Sequence, residues 1–529
     1  MRAPCEETLI ASADDDDPCA KTARPWILAA TILGSSMAFI DGTVVNVALP
    51  ALQSTFQASL VDVQWVVESY GIFLSALILA GGALGDLLGR RRTFLLGVAI
   101  FAAASVACGL SSSIRLLIAA RSAQGVGAAL LVPGSLAIIS AAFDKVSRGK
   151  AIGTWSGFTA ITTALGPVVG GWLVQNASWR WAFLVNVPLA VPVVAISVRH
   201  VPESHGSQAG RVDWPGALLA TLGLAGIVTG FLESARFGWK HPLVLLSLLA
   251  GSGLLAAFLV VEARAVSPMV PLVLFRSRSF TGTNVLTLLL YLTLGIFFFL
   301  FPMSLIELQN YSATAAGAAM LPMILLMFLL SRWSGSLVQR YGARLPLVVG
   351  PSVVAAGFLL FAVVLLRGNY WKTYFPAALV LGLGMATTVA PLTTEVMNSV
   401  DPRNAGAASG INNAVARVAG VLAIALFGSV MVKVFDSNLA HRLATLGLPL
   451  EIVQQIRAKE IELVALELPN NLDTGTLAAV RQAISASFAS GFRVVLFCCA
   501  GLALGSAAAA WRFTGPDKSD SKSLASRPS

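Results

Sequence analysis

The chain has 529 residues, of which 56% are hydrophobic and only 12% are charged, and its formal net charge is +10. Soluble domains carry about 25% charged residues, so this composition excludes a soluble protein and indicates an integral membrane protein. The basic residues occur singly or in short loops between apolar runs, which is the pattern of membrane topology signals, so no nucleic-acid partner is expected. The five cysteines lack the spacing of metal ligands, and no metal site is predicted.

A polar tail precedes the first apolar segment. No small-residue cleavage site follows a short apolar core there, so no cleaved signal peptide is expected. Fourteen apolar segments come next, and a helix needs about 20 residues to cross a bilayer. The predicted segments lie near 26–49, 64–83, 93–110, 114–136, 149–174, 179–198, 214–232, 242–262, 283–308, 314–338, 345–366, 374–397, 406–434 and 483–511.

Positive charge in the loops predicts the orientation of these segments. Arginine and lysine are enriched on the side of the N-terminal tail, for example at 90–92, 145–150 and 276–278, and are sparse in the opposite short loops. Loops rich in arginine and lysine stay in the cytoplasm. Because an even number of spans returns the chain to its starting side, both termini are predicted to be cytoplasmic.

An internal repeat divides the segments into two groups. Residues 82–91 match residues 335–344 at two glycines, a leucine and an arginine, and residues 150–157 match residues 403–410 at the same spacing. Two matches at one spacing predict a duplication. Segments one to six and nine to fourteen are therefore predicted to form two parallel six-helix bundles, with segments seven and eight inserted between them.

The expected fold is all-α and integral to the membrane. One long extracytoplasmic loop, 435–482, is expected to cap the outer face, with a short amphipathic helix at 449–457. In chain order the expected parts are a cytoplasmic tail at 1–25, a first bundle at 26–202, the inserted pair with its linkers at 203–278, a second bundle at 279–512 and a cytoplasmic tail at 513–529.

Charged residues within the segments are the first functional candidates, because a charge at the centre of a bilayer costs about 3 to 17 kcal/mol, depending on the method. Asp41 in segment one and Arg121 in segment four lie roughly 13 and 10 Å from the outer ends, at 1.5 Å per residue. They are predicted to face each other or to share a water-filled cavity, and the alternative is a structural pair that locks two helices. Glu68, one turn inside segment two, is either a rim carboxylate or a functional one.

The other intramembrane polar residues lie in the second half. Glu307 is expected at the outer rim of segment nine, and Glu395 at the inner interface of segment twelve. Arg417, in the middle of segment thirteen, needs a partner or a polar cavity. None of Asp41, Glu68 and Arg121 has a like residue at the repeat spacing. The coupling chemistry is therefore predicted to lie in the first half.

Glycines mark two further stretches. Residues 82–91 are predicted to form a tight cytoplasmic turn, in which glycine permits a positive φ. In segment five, Gly166 and Gly170 are four residues apart and are followed by Gly171, a pattern of small residues that lets helices approach closely. Pro167 bends the same helix. Helix packing accounts for this stretch, and a flexible seam between the bundles is the functional alternative.

Five motifs, in this order along the chain, resemble those of the major facilitator superfamily and, within it, of the fourteen-helix drug:proton antiporters of the QacA/EmrB type. The helix-one motif, the turn between helices two and three, the helix-four motif, the helix-five antiporter motif and the start of helix six lie at 39–50, 82–91, 121–129, 166–171 and 179–188.

The resemblance implies alternating access, in which two bundles rock about a central cavity. It implies that Asp41 is the protonated carboxylate, that Arg121 modulates its proton affinity, and that Glu68 is a further coupling candidate. The residues implied for the cytoplasmic gate are Gly82, Asp86, Gly89, Arg90 and Arg91, those for the antiporter motif are Gly166, Pro167, Gly170 and Gly171, and the substrate or charge candidates are Glu307, Glu395, Asn412, Asn413 and Arg417.

Two departures from the pattern bear on these roles. Gln339 replaces the acid in the second copy of the gate turn, which puts a symmetric gate in doubt. Asn412 and Asn413 stand where some relatives use acids for cationic drugs, which puts a preference for cations in doubt. The cavity is expected to be apolar and aromatic, with Trp155, Trp172 and residues 297–299 as candidate contacts.

The leading hypothesis is proton-coupled export of amphipathic small molecules across a bacterial-type plasma membrane, the inner membrane. No phosphate-cradling nucleotide loop occurs, so the proton gradient is expected to drive transport without any cofactor, and no enzymatic activity is predicted. The alternatives are an uptake symporter of the same fold and a non-transporting sensor or assembly partner. The expected partners are the substrate, protons and lipid, and an accessory periplasmic protein is left open.

Overall fold

A computed structural model describes residues 22–143, 145–205, 213–265, 268–364, 370–400, 405–446 and 474–514. In these ranges, fourteen helices are long and apolar enough to cross a membrane, which confirms the predicted number of spans. They are α1 (Arg24–Phe56), α2 (Leu60–Leu88), α3 (Arg90–Gly109), α4 (Ile114–Ala142), α5 (Lys145–Asn176), α6 (Trp181–Leu184 and Asn186–His200), α7 (Trp214–Phe237), α8 (Pro242–Arg264), α9 (Arg278–Gln309), α10 (Ala313–Ala318 and Leu321–Tyr341), α11 (Arg344–Val364), α12 (Tyr374–Asn398), α13 (Ala405–Thr445) and α14 (Thr474–Phe513).

Two helices extend well beyond the predicted spans 406–434 and 483–511. Helix α13 continues to Thr445 and α14 begins at Thr474, so both extend into the stretch expected to be the long loop at 435–482. The predicted amphipathic helix at 449–457 lies outside the described residues. The same holds for residues 1–21 and 515–529, which include most of both predicted tails.

Short polar residues set the helix ends. Ser59 begins α2 with reciprocal hydrogen bonds, in which the Asp62 amide donates to Ser59 Oγ at 3.2 Å and the Ser59 amide donates to Asp62 Oδ2 at 2.9 Å. Ser277 caps α9 by accepting from the Phe280 amide at 3.3 Å. These caps satisfy first-turn amides that have no intrahelical partner.

The helices form the two predicted bundles, α1–α6 and α9–α14. Glycines bring α3 and α4 into backbone contact in the first bundle, where a Cβ at Gly97 would lie 2.8 Å from the Leu131 amide. The second bundle has the same arrangement, because a Cβ at Gly350 of α11 would lie 3.0 Å from the carbonyl oxygen of Gly384 in α12. Gly97 and Gly350 are related by the same spacing as the repeated turns. The duplication is therefore also visible in how the helices pack.

The inserted helices α7 and α8 pack on each other, and α7 lies against both α2 and α13. An apolar cluster joins the three helices and includes Val61, Val228 and Val421. Polar contacts tie α7 to α2, since Trp65 Nε1 donates to Glu233 Oε1 at 3.3 Å. The inserted pair thus covers one flank of the seam between the bundles.

Candidate functional site

A cavity of about 690 Å³ lies between the two bundles. Helices α1, α2, α4 and α5 of the first bundle and α9, α10, α12 and α13 of the second contribute to its wall, which is mostly apolar. The charged residues among those that line it are Glu68, Arg121 and Arg417. An apolar cavity with few converging polar groups is typical of a small-molecule binding site.

Close helix contacts bound the cavity on one side. We call the side where α1 begins, at Arg24, the tail side, and the side where α1 ends, at Phe56, the opposite side. On the opposite side, a Cβ at Gly171 of α5 would overlap the carbonyl oxygen of Ala313 in α10, and a Cβ at Gly317 would overlap that of Pro167. The bundles are therefore in backbone contact on the opposite side.

Asp41 of α1 and Arg121 of α4 form a buried ion pair between Arg121 Nη1 and Asp41 Oδ2. Their side chains are 1% and 0% exposed. Arg121 Nε also donates to the carbonyl oxygen of Val66 at 3.0 Å, and the guanidinium lies over the ring of Tyr70, 4.2 Å from its centroid. The sequence predicted that the two residues face each other or share a cavity, and they are in direct contact.

Three amide and hydroxyl side chains complete the surroundings of Asp41. Gln124 Nε2 donates to Asp41 Oδ1 at 2.8 Å, and Asn186 Nδ2 of α6 donates to the same oxygen at 3.1 Å. Gln124 Oε1 accepts from Arg121 Nη1 at 2.6 Å, and Ser105 Oγ of α3 accepts from Gln124 Nε2 at 2.9 Å. Four helices of the first bundle thus converge on one carboxylate.

Sequence reasoning missed the roles of Gln124, Asn186 and Ser105. Gln124 and Asn186 lay within the quoted motifs at 121–129 and 179–188, but neither was assigned a contact. The available signal was an amide inside an otherwise apolar span, where an unsatisfied polar group is expensive.

Arg121 lies between Asp41 and the cavity. Arg121 lines the cavity, whereas Asp41 is behind it and is not among the residues of the wall. Protonation of Asp41 would remove the charge that neutralises Arg121 and would leave that guanidinium beside the cavity. The pair can therefore translate a proton on Asp41 into a change of charge at the cavity wall.

Glu68 lies on α2 in the wall of the cavity and is 1% exposed. Neither carboxylate oxygen has a hydrogen-bond partner among the described residues. This burial places Glu68 in the cavity wall and not at an exposed rim. A carboxyl group in this position either holds a proton or attracts a cationic group.

The substrate and charge candidates of the second half separate into different environments. Arg417 of α13 lines the cavity, and its guanidinium lies 5.7 Å from the ring centroid of Phe39. Asn412 is directed at α9, donating to Thr287 Oγ1 at 2.7 Å, and thus acts in helix packing. Asn413 is exposed and donates to the carbonyl oxygen of Ser409 at 3.0 Å.

Of the two remaining candidates of this group, Glu395 is not among the residues of the cavity wall. Glu395 accepts a hydrogen bond from Ser279 Oγ of α9, which joins α12 to α9 near the tail side. Glu307 is on the last turn of α9, and its side chain lies outside the described part of the chain.

The aromatic candidates for cavity contacts were mostly wrong. Phe298 lines the cavity, but Phe297 is buried in an aromatic cluster of the second bundle, stacked on Phe301 with centroids 4.9 Å apart. Trp155 donates through Nε1 to Ser35 Oγ at 3.1 Å within the first bundle, and Trp172 is 57% exposed on the outer surface. A hydropathy pattern gives the helix but not the face that each ring occupies.

The helix-five stretch lies at two helix interfaces. Gly166 and Gly170 pack on α1, where a Cβ at Gly170 would lie 3.1 Å from the Cα of Val44. Gly171 and Pro167 meet α10 of the other bundle, and Pro167 also lines the cavity. One face of α5 therefore packs within the first bundle, and the adjacent face contacts the second bundle. The contacts account for helix packing, and a flexible seam stays a prediction.

The turn between α2 and α3 is shorter than predicted. Gly82 and Asp86 lie within α2, and Gly89 alone separates the two helices, with a φ of +107°. The tight turn expected over residues 82–91 is thus a single residue, because the helical hydrogen bonds continue to Leu88. Close approach in this region is made by Gly81, where a Cβ would overlap the carbonyl oxygen of Ala129.

The charges of this turn are paired within the first bundle. Arg90 Nη2 forms an ion pair with Asp86 Oδ1 at 2.8 Å. The Arg91 amide donates to Glu203 Oε1 at 3.0 Å, and the Arg92 amide donates to Glu203 Oε2 at 3.3 Å. Glu203, which sequence reasoning missed, caps the start of α3 and neutralises the adjacent arginines. A carboxylate at a helix N-terminus is stabilised by the exposed amides and the helix dipole.

Replacing Gly89 with alanine is expected to lower the free energy of unfolding by about 1–3 kcal/mol, because a side chain at positive φ is strained. A Cβ there would also lie 2.6 Å from Glu203 Oε1. Thermal unfolding of the purified protein measures the change. Gly501→Ala is the matched control, since a Cβ at Gly501 meets nothing within 4 Å. Equal melting temperatures for the two variants would show that the turn carries no such strain.

A family model described as Major Facilitator Superfamily matches residues 31–424, which is most of the chain. The chain belongs to the major facilitator superfamily. The resemblance seen in the five motifs is thereby confirmed. The protein is a multi-pass membrane transporter of that superfamily and not an enzyme.

Curated relatives in the superfamily carry names of drug and antibiotic resistance. The multidrug resistance protein Stp of Mycobacterium tuberculosis is 35% identical over 429 residues, covering 79% of this chain and 77% of Stp. The tetracenomycin C resistance and export protein of Streptomyces glaucescens is 31% identical over 493 residues, covering 92% and 91%. The lincomycin resistance protein of Streptomyces lincolnensis is 32% identical over 415 residues, covering 78% and 86%.

Solved structures share the fold at low sequence identity. A bacterial homologue of the human lysosomal transporter Spinster, inward-facing and unoccupied, has a TM-score of 0.64 at 17% identity, covering 94% of this chain and 100% of that one. A D-xylose–proton symporter has a TM-score of 0.61 at 14% identity, covering 93% and 98%. These likenesses confirm the superfamily fold and concern the fold alone.

Proposed function

We propose that this transporter exports amphipathic small molecules from the cytoplasm in exchange for protons. The observation that carries the proposal is the buried Asp41–Arg121 pair behind the wall of an apolar cavity between the bundles. A carboxylate that takes up a proton there changes the charge balance of the wall. The names of the resistance and export proteins to which the chain is similar support export of small molecules.

The exchange works by alternating access. With the bundles in contact on the opposite side, the cavity is reached from the tail side, which we place in the cytoplasm on the basis of the loop charges. A rocking motion would part Gly171 from Ala313 and close the tail side instead. The proton gradient would favour proton uptake on Asp41 from the outside and its release inside, so that cargo leaves as protons enter. This requires both termini in the cytoplasm and the plasma membrane as location.

Each step of this cycle is assigned to charged residues near the cavity. Asp41 accepts the transported proton, held by Gln124 and Asn186, and Arg121 carries the change of charge to the cavity wall. Glu68 is a second carboxyl in the wall and the further coupling site. The ion pair Asp86–Arg90 and the Glu203 cap hold the tail-side turn during the motion. No cofactor takes part.

Inside-out membrane vesicles distinguish export from the alternative of uptake symport. Respiration acidifies the vesicle lumen, so an exporter that exchanges protons is expected to accumulate a fluorescent amphiphile, either ethidium or 1-anilinonaphthalene-8-sulfonate, inside the vesicles. A protonophore should release the dye. Accumulation that is greater without a gradient than with it would contradict proton-driven export and favour symport. Vesicles from cells without the transporter provide the background.

A further inference from the structure

Two charged side chains in the cavity wall have no partner of opposite charge among the described residues. Arg121 is neutralised by Asp41. Arg417 has aromatic neighbours, the ring of Phe39 at 5.7 Å from its centroid and the phenols of Tyr70 and Tyr291, but no carboxylate in the described ranges. Glu68 has no hydrogen bond to either oxygen within the described ranges. A bare guanidinium in an apolar cavity is expensive, so its counter-charge is expected from whatever enters the cavity.

The helix register shows that Arg417 and Glu68 are not each other's partner. Helices α2 and α13 run antiparallel along the cavity, with a Cβ at Gly71 lying 2.6 Å from Val421 Cγ2. Glu68 is three residues from Gly71 toward the opposite side, and Arg417 is four residues from Val421 toward the tail side. At 1.5 Å per residue the two charges are therefore about 10 Å apart along the helices.

Ser75 is at the same level as Arg417 by this register, and it also lines the cavity. Its Oγ is buried without a hydrogen-bond partner in the described part of the chain. A guanidinium and a free hydroxyl on facing helices are both donors. A planar guanidinium forms charge-assisted hydrogen bonds with two oxygens of one acid group, which a neutral or cationic group cannot accept.

We propose that the cavity binds its cargo through an anionic group placed on Arg417 and Ser75, so that the transported amphiphiles are organic acids such as carboxylates or sulfonates. The inference rests on the proposed function, because it names the substrate class of the same cavity. The apolar body of the cargo lies against Phe298, Met327 and Phe328, which line the wall between the bundles. A lipophilic cation would meet the guanidinium of Arg417 at this level of the cavity.

The asparagines of α13 agree with this substrate class. Asn412 and Asn413 leave α13 without an acid next to the cavity, and the ionisable side chain that α13 presents to the cavity is Arg417. The site joins α2 of one bundle to α13 of the other. An anion bound between Ser75 and Arg417 would therefore hold the two bundles together while it is in place.

Binding of two matched dyes tests the site without any proton gradient. 1-Anilinonaphthalene-8-sulfonate carries an ionised sulfonate, and N-phenyl-1-naphthylamine is its uncharged parent. In phosphatidylcholine nanodiscs, the wild-type protein is expected to bind the sulfonate about 10- to 100-fold more tightly than the parent, which is the effect of hydrogen bonds to a charged group. Fluorescence titration gives both dissociation constants.

Variants of Arg417 separate an anion site from a structural role. Arg417→Gln is expected to remove the preference for the sulfonate while the parent binds within about twofold of wild type, and Arg417→Lys should keep part of the preference. Arg493→Gln is the matched control. Arg493 is an arginine of α14 whose Nε donates to the carbonyl oxygen of Ala362 at 3.0 Å, away from the cavity wall. This control should leave both dissociation constants unchanged.

Nanodiscs that contain phosphatidylglycerol distinguish two sources of the anionic group. Weaker sulfonate binding in these discs, seen in wild type but not in Arg417→Gln, would assign the site to an anionic lipid headgroup. Unchanged binding would assign it to a soluble organic acid. Equal binding of the two dyes by wild type, or equal losses for both dyes in Arg417→Gln, would overturn the proposal. These binding measurements use no proton gradient, so a negative result would overturn the anion site without contradicting proton exchange. If proton exchange failed while the sulfonate still bound, the proposed exchange would be overturned and the anion site would remain.

Discussion

Replacing Arg121 with methionine is expected to lower the free energy of unfolding by about 3–5 kcal/mol and to abolish transport. The substitution leaves the Asp41 carboxylate, 1% exposed, with only the amides of Gln124 and Asn186 as partners. A buried charge without a counter-charge is far more costly than the loss of the pair itself. Denaturant or thermal unfolding in detergent measures the loss, and vesicle uptake of dye measures transport.

The double variant Asp41→Asn with Arg121→Met is the decisive comparison. It removes both charges, so most of the lost stability should return, although transport stays absent. Arg493→Met is the control for loss of an arginine that bonds to a backbone carbonyl, and it should cost about 1 kcal/mol, the size of one hydrogen bond. Equal destabilisation in the Arg121→Met single variant and the double variant would show that the ion pair does not decide stability.

Replacing Gly171 with valine is expected to prevent the bundles from closing on the opposite side. A Cβ at this position overlaps the carbonyl oxygen of Ala313, and backbone atoms cannot move aside unless α5 and α10 separate. Overpacking of this kind costs about 1–3 kcal/mol, which shifts the equilibrium between the two states of the transporter by about 5- to 150-fold. Transport should fall accordingly, while each bundle stays folded.

Spin labels at the opposite-side ends of the two bundles measure this shift. Cysteines placed at Asn176, at the end of α5, and at Gln309, at the end of α9, report the separation in a background without native cysteines. Gly171→Val should move the distance distribution to longer values. Gly253→Val is the control, because a Cβ at Gly253 meets nothing within 4 Å. An unchanged distribution in Gly171→Val would mean that this contact does not close the cavity.

Composition and spacing were enough to predict the number of spans and the internal repeat. Hydropathy is averaged over a whole segment, so a prediction of spans does not depend on which face of the helix each residue occupies. The Asp41–Arg121 pair could also be predicted, because two opposite charges at similar depth in one bundle have few other partners to neutralise them. The same argument failed for the aromatic residues, since a phenylalanine is stable in the core, against lipid or in the cavity.

Contacts that depend on helix rotation could not be predicted. Asn412 and Asn413 are adjacent in the sequence, yet one bonds to Thr287 of α9 and the other is exposed. Gln124 and Asn186 reach one carboxylate from two helices, and no spacing along the chain relates them. Glu203 is far from the arginine turn in sequence, and only the packing of α6 against α3 brings it there.

The length of the turn between α2 and α3 was misjudged for a physical reason. Glycine was interpreted as a sign of a loop, because it adopts positive φ. Only Gly89 does so, and Gly81 lies within α2, where its missing side chain allows contact with Ala129 of α4. In membrane helices small residues also allow close packing.

Proton movement across liposomes tests the central claim most directly. Purified protein is reconstituted around a pH-sensitive dye, a proton gradient is imposed, and ethidium, 1-anilinonaphthalene-8-sulfonate or N-phenyl-1-naphthylamine is added while lumenal pH is recorded. At least one of these compounds is expected to trigger proton movement in the wild type, and Asp41→Asn should abolish it while the variant stays folded. No proton movement with any of them, or the same movement in Asp41→Asn, would contradict proton exchange through Asp41.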